Sequence, residues 1–257
     1  MSVFIVIIGV EYVDYADAGK MDRLPGPHYD TKCVLRVLRK RHPTPADVWL
    51  LTDNSKGMQP TRKNIEQTIC LAVDSASKVE GATVWLYYSG HGTQLSALKP
   101  ELELDGKDEV IVPCDFLTEG FIRDDWLHAT VSKLHPSNTL CAFWDCCNSG
   151  TLMDLPHNLI EAGVMPTESL PACPVIFSIS GCLDDQSSIS AWNIKDNKRW
   201  QGAMTWALCA VLRSTMNSGA YPFQLHKRIQ NRLTSRNYKQ RAQLSSNVPP
   251  NSLACKV

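Results

Sequence analysis

The run VFIVIIG at residues 3–9 constrains this chain more than any other feature. A strand with no polar alternate cannot leave one face in water; it needs apolar cover on both sides. Similar short β-branched or aromatic runs recur at Val48 to Leu51, Thr83 to Tyr88, Val110 to Val112, Thr139 to Trp144 and Val175 to Ile179. Between several of them the apolar residues switch to helical spacing. Ile65, Ile69 and Val73 follow Pro60 and Thr61, with Thr61 placed to cap the helix start. Met204, Leu208 and Leu212 mark a second helix, and Leu225, Ile229 and Leu233 a third. Strands apolar on both faces, alternating with helices, predict an α/β fold whose mainly parallel central sheet is flanked by helices on both faces.

With 257 residues, 44% of them hydrophobic, the chain can bury a substantial core, and a single domain spanning 1–257 is expected. Its one internal boundary is the stretch Asp154 to Pro174, which holds four prolines and little periodicity. That stretch divides a larger part, 1–153, from a smaller part, 175–257. The 26 basic and 26 acidic residues cancel, so no overall field draws the chain to nucleic acid or to an anionic membrane. Two basic runs, RVLRKRH and HKRIQNRLTSR, carry apolar residues at helical spacing and read as solvated helix faces. No segment approaches the roughly 18 apolar residues of a membrane span. The first apolar run lacks a basic flank, so it reads as a buried strand rather than a signal peptide, and a cytoplasmic or nuclear location is expected. Ten cysteines lie mostly inside apolar runs such as TLCAF and WALCAVL, with no C-x-x-C pair. They read as buried thiols of a reducing compartment rather than a disulfide scaffold or a zinc site.

Two stretches carry reactive side chains where an apolar run meets small residues: YYSGHGTQ at 87–94, with His91, and FWDCCNSG at 143–150, with Cys147. In a parallel α/β sheet, ligands bind outside the carboxyl ends of the strands, and both stretches occupy such ends. Glycines on either side of His91 leave its imidazole accessible. A thiol attacks only as thiolate, and a nearby imidazole is the usual acceptor of its proton. His91 precedes Cys147 by 56 residues (147 − 91), close to the roughly 50 that separate histidine from cysteine in caspases. Asp145 stands two residues before Cys147, where a carboxylate can hold a guanidinium by paired hydrogen bonds or serve as a structural acceptor. By themselves, DGKDE reads as a turn and RDD as a helix start.

In their order and spacing, YYSGHGTQ, DGKDEVIVPCDF, IRDDWLH, DCCNSG and SISGCLDDQSS resemble the metacaspases, caspase-like cysteine peptidases, and the resemblance runs from VIIG and PTRKNI to GAMT and AQLSSN. It implies a caspase-like fold in a bare catalytic core. It also implies a calcium-dependent cysteine endopeptidase, monomeric, acting on proteins or peptides with Arg or Lys at the cleavage site. Cys147 matches the nucleophile and His91 the general base, with the backbone N–H groups of Gly92 and Cys147 as oxyanion hole. Asp30, Ser89 and Asp145 match the pocket for the basic side chain. Asp108, Asp124, Asp125 and Asp154 match the activating Ca2+ site, whose hard cation takes six to eight oxygen ligands.

Three features depart from the family pattern. Asn148 follows Cys147 where the family has His, and Ser190 stands where the family has Asp. No Lys or Arg occurs from Thr151 through Asn193, so an Arg/Lys-specific enzyme could not cut itself there, and a single-chain enzyme switched by calcium is expected. Cys146 adjoins the nucleophile position, but Ser149-Gly150 frames the motif on Cys147. The competing readings are a metacaspase-like protein that binds calcium and regulates without catalysis, and a caspase-like peptidase of different specificity.

Overall fold

The computed structural model describes residues 2–19, 22–54, 57–98, 106–147, 149–159, 173–182, 190–192 and 199–249. The first part of the chain forms β1 (Val3–Gly9), α1 (Val13–Asp17), α2 (Pro27–Arg41), β2 (Asp47–Thr52), α3 (Arg62–Ser77) and β3 (Thr83–Ser89). Next come β4 (Gly92–Ser96), β5 (Lys107–Ile111), α4 (Phe116–Glu119), β6 (Ile122–Arg123), α5 (Asp124–Val131) and β7 (Thr139–Asp145). The last part forms β8 (His157–Leu159), β9 (Val175–Ser180), β10 (Ser190–Trp192), β11 (Trp200–Gly202), α6 (Ala203–Ser214), α7 (Pro222–Ser235) and β12 (Gln243–Ser246).

The main sheet has the order β2-β1-β3-β7-β9-β12-β8. Its first five strands pair in parallel, and β12 runs antiparallel to both β9 and β8. The all-apolar runs are explained by what lies on each face. Because successive side chains of a strand point to opposite faces, Val3, Ile5 and Ile7 join the core built with α2, α6 and α7, whereas Phe4, Val6 and Ile8 join the core built with α3 and α5. The same alternation sends Trp85, Tyr87 and Phe143 to the first core and Leu86, Tyr88 and Trp144 to the second. Truncating one of the fully buried tryptophans, Trp85 or Trp144, to Ala would cost about 3–5 kcal/mol. Thr61 caps α3 as its position predicts, its hydroxyl accepting the Asn64 N–H at 3.2 Å.

Two expectations are refined. Val110 to Val112 does not join the main sheet: β5 pairs antiparallel with β4 and β6 in a separate three-stranded sheet. β8 and β12 are short and carry polar residues (HNL and QLSS), so no apolar run announced them. Of the Pro-rich stretch, residues 160–172 lie outside the described residues, while its start supplies β8, which pairs with β12. The main sheet thus takes strands from both sides of that stretch. The nine described cysteines are free thiols.

Candidate active site

β2 pairs on one side of β1 and β3 on the other, so the strand order reverses at β1. Such a switch point opens a crevice at the strands' carboxyl ends. Here β3 and β7 run side by side in a register that pairs Ser89 with Asp145. Two residues beyond each strand end, in the turns that follow, stand His91 and Cys147, so the 56-residue spacing equals the register offset. The two turns also touch: a Cβ added to Gly92 would overlap the Cys147 carbonyl and approach Cys146 Sγ at 3.1 Å. Only glycine lets these backbones come so close.

The adjacent thiols differ in environment. Cys146 is 1% exposed within the core shared with α3 and α5, and burial holds its thiol well above the usual range. Its carbonyl accepts hydrogen bonds from the Ser149 hydroxyl (2.9 Å) and the Cys182 thiol (3.1 Å), which tether the turn. Cys147 is half-buried. Exposure therefore favours Cys147 over its neighbour as a nucleophile. Asn148 lies outside the described residues, and of Ser190 only the backbone, paired with Gly202, is described.

His91 is half-buried, and burial lowers its pKa below the usual imidazole value. Two buried tyrosines hold its main chain. The Tyr12 hydroxyl accepts the His91 N–H at 2.8 Å, and the Tyr88 hydroxyl donates to the His91 carbonyl at 2.8 Å. The Tyr12 ring also stacks on the imidazole, with centroids 4.8 Å apart and planes 28° off parallel.

Asp30, Ser89 and Asp145 come together on the face opposite Tyr88, Trp144 and Cys146, as the alternation along β3 and β7 requires. Asp30, in the first turn of α2, is 1% exposed and accepts the Gly202 N–H at 3.0 Å and the Ser89 hydroxyl at 3.4 Å. Asp145 is 6% exposed; its Oδ2 accepts the Thr205 N–H (2.9 Å) and hydroxyl (2.6 Å) from the first turn of α6. Burial first, and the Asp145 charge second, push the Asp30 carboxyl well above its usual range. No described Lys or Arg pairs with Asp30. The first turn of α2 is itself anchored: Glu11 Oε1 accepts the N–H groups of Gly26 (3.3 Å) and His28 (3.0 Å), and His28 Nε2 lies 2.6 Å from Asp53 Oδ1. A Cβ on Gly202 would overlap the Asp145 carboxylate, so this close approach requires glycine.

The four carboxylates matched to calcium are only partly assembled. Asp124 is fully buried; its oxygens accept the N–H groups of Glu109 (2.5 Å) and Asp125 (2.9 Å). Its carboxyl is pushed up to about 9, by burial first, then by Asp154 and in part by Glu109. Asp154 takes a left-handed backbone, φ 46°. Asp108 points elsewhere, paired with the Arg123 guanidinium. Neighbouring residues of a strand face opposite ways, so where Asp108 meets Arg123, Glu109 meets Gln94 (2.8 Å) and Thr151 (2.6 Å). Among the described residues no three potential ligands are grouped to hold a metal. The donor chemistry nevertheless fits a hard cation: oxygen ligands only, with like charges around Asp124 that a divalent ion would relieve. Sequence reasoning missed Tyr12, Glu109, Arg123, Gly202 and Thr205. Of these, only Tyr12 carried a signal, its place just past the carboxyl end of β1.

Sheet order, strand-end residues and flanking helices together define the class, a caspase-like α/β protein. The chain belongs to the metacaspase family: the family model "Metacaspase, peptidase C14 domain" matches residues 5–156. It is 29% identical to Metacaspase-1 of Candida albicans over 95% of this chain and 64% of that protein. It is 32% identical to Metacaspase-2 of Arabidopsis thaliana over 80% of this chain and 51% of that protein. The chain therefore spans about half to two thirds of the length of these relatives. A crystal structure of a Geobacter sulfurreducens protein shares the fold, with TM-score 0.68 and 22% identity over 100% of this chain and 98% of that one. Among the described residues no helix is long and apolar enough to cross a membrane.

Proposed function

We propose that this chain is a cysteine endopeptidase that cleaves protein or peptide substrates after Arg or Lys, is activated by calcium, and acts as a monomeric single domain in the cytoplasm. The observation that carries the reading is the β3–β7 register, which sets Ser89 and Asp145 beside each other at the ends of adjacent strands, with His91 and Cys147 each two residues beyond, in turns that touch at Gly92 and Cys147. On this reading His91 takes the Cys147 proton and the thiolate attacks the scissile carbonyl carbon. The oxyanion is met by the N–H groups of Gly92 and Cys147. The C–N bond then breaks, the imidazolium returns its proton to the leaving amine, and water hydrolyses the thioester with His91 as base.

Cleavage after a basic residue is supported by Asp30 and Asp145, two buried carboxylates converging at the strand ends. A guanidinium between them would gain charge-assisted hydrogen bonds and remove their mutual repulsion. Calcium would be held by Asp124, Asp125 and Asp154, with Asp108 joining after release from Arg123, and would supply positive charge to the loops beside the nucleophile. The test is hydrolysis of a fluorogenic Arg-terminated peptide, with millimolar calcium or chelator, by the wild type, Cys147→Ala and Cys146→Ala. Calcium-dependent turnover lost only in Cys147→Ala supports the reading. A folded protein that binds calcium without turnover above the Cys147→Ala background would replace it with a regulatory role.

A further inference from the structure

His91 has, among the described residues, no partner of the kind a histidine base usually has. Among the described residues no side chain hydrogen-bonds either of its ring nitrogens, so no carboxylate fixes the plane of the imidazole. What touches it is Tyr12. This residue is 1% exposed and lies between the end of β1 and the start of α1. Its backbone is left-handed, φ 57° and ψ 43°, a conformation that costs a non-glycine residue about 1 kcal/mol or more. Strain of this size persists only where the surroundings hold it, and here they do so from three directions. The hydroxyl accepts the His91 N–H at 2.8 Å and donates to the Val112 carbonyl at 3.0 Å. The ring lies over the imidazole at 4.8 Å, and Phe116 meets the Tyr12 ring edge-on at 6.3 Å, 89° between planes. Tyr88, 3.4 Å from the Tyr12 hydroxyl, holds the His91 carbonyl.

We propose that Tyr12 is the positioning residue of the dyad: its ring sets the plane of the His91 imidazole and excludes water from one side of it, while its hydroxyl fixes the backbone from which that side chain projects. The inference rests on the reading of His91 and Cys147 as the catalytic pair. A stacked aromatic does by shape what a carboxylate in other cysteine and serine peptidases does by hydrogen bonding, with one difference in consequence. A carboxylate stabilises the imidazolium, whereas a ring that excludes water disfavours it. In this protein the base is thereby kept neutral to lower pH, in line with the lowered His91 pKa.

The experiment compares Tyr12→Phe and Tyr12→Leu with wild type in kcat, KM and the pH dependence of kcat/KM on an Arg peptide, with calcium saturating. Tyr12→Phe keeps the ring and loses the three hydroxyl contacts, to His91, Val112 and Tyr88; kcat falls about tenfold and KM stays. Tyr12→Leu also loses the stacking; kcat falls about a hundredfold, the order expected for a displaced catalytic group. Its acid limb moves up towards ordinary imidazole values, about 6.5, while that of Tyr12→Phe stays near wild type. Should Tyr12→Leu fail to fold, Tyr12→Phe decides alone through its kcat. Wild-type kcat in a folded Tyr12→Phe, or a Tyr12→Leu change confined to KM, overturns the proposal. His91→Ala and Cys147→Ala run alongside: if they retain turnover the dyad reading itself fails, and if they lose it while the Tyr12 variants do not, only the role of Tyr12 fails.

Discussion

Two clusters of aspartates in this molecule look alike in sequence and differ in construction. Asp30 and Asp145 reach the strand ends from α2 and β7, and each is fixed by a first-turn or strand-end amide, Gly202 for one and Thr205 for the other. Their carboxylates are organised before any ligand arrives. Asp108, Asp124 and Asp154 lie on a small antiparallel sheet, a helix start and a loop, and one of them is already engaged by Arg123. On the proposed reading, the first cluster is a preorganised recognition pocket, and the second a half-made calcium site whose completion requires side chains to move. A specificity pocket gains affinity from preorganisation. A regulatory site gains from having two states that an ion can separate.

Breaking the pocket should produce the largest effect. Asp30→Asn keeps the shape and removes one charge; kcat/KM on an Arg peptide should fall a hundredfold or more, in keeping with the roughly 2–5 kcal/mol at stake when one partner of a buried charge pair is removed. Calorimetric calcium binding should not change, and a parallel loss of it would mean that the two clusters are one system. Gly202→Ala attacks the same pocket sterically, by driving a methyl group into the Asp145 carboxylate. About a tenfold loss in kcat/KM, chiefly in KM, is expected, with a lower melting temperature. At the other cluster, Asp124→Asn should raise the calcium concentration for half-maximal activity about tenfold. It should not lower the melting temperature in chelator near neutral pH, since a carboxyl pushed up to about 9 is already uncharged there and asparagine keeps its shape. The smallest and most diagnostic change is Arg123→Gln. Without its guanidinium, Asp108 is available to calcium, so the dissociation constant measured by calorimetry should fall severalfold, while the chelated protein melts at a lower temperature because Asp108 is left buried and unpaired. Weaker calcium binding in this variant would show that Arg123 supports the site instead of competing for it.

The parallel core of the sheet was legible because burial on both faces leaves a strong mark: VFIVIIG, TVWLYY and TLCAFW have no polar alternates. β8 and β12 were not, since three- and four-residue strands with Asn, Ser and Gln resemble loops. At the site, His91 and Cys147 could be read from strand-end glycine context and spacing, because register converts a sequence interval directly into proximity. Tyr12 could not be joined to His91 in this way, as their contact spans 79 positions across a strand switch point. The division of labour between Asp108 and Glu109 was hidden for another reason. Both acids are in DGKDE, and only the pairing of β5 with β4 decides which face each takes.

The most direct measurement is mass-spectrometric mapping of the calcium-loaded protein after reaction with an irreversible peptide ketone bearing Arg at its reactive end, beside the Asp-terminated analogue. The account predicts one adduct, on Cys147, from the Arg reagent alone, and none in Cys147→Ala. Modification of Cys146, or equal labelling by the Asp reagent, would contradict it.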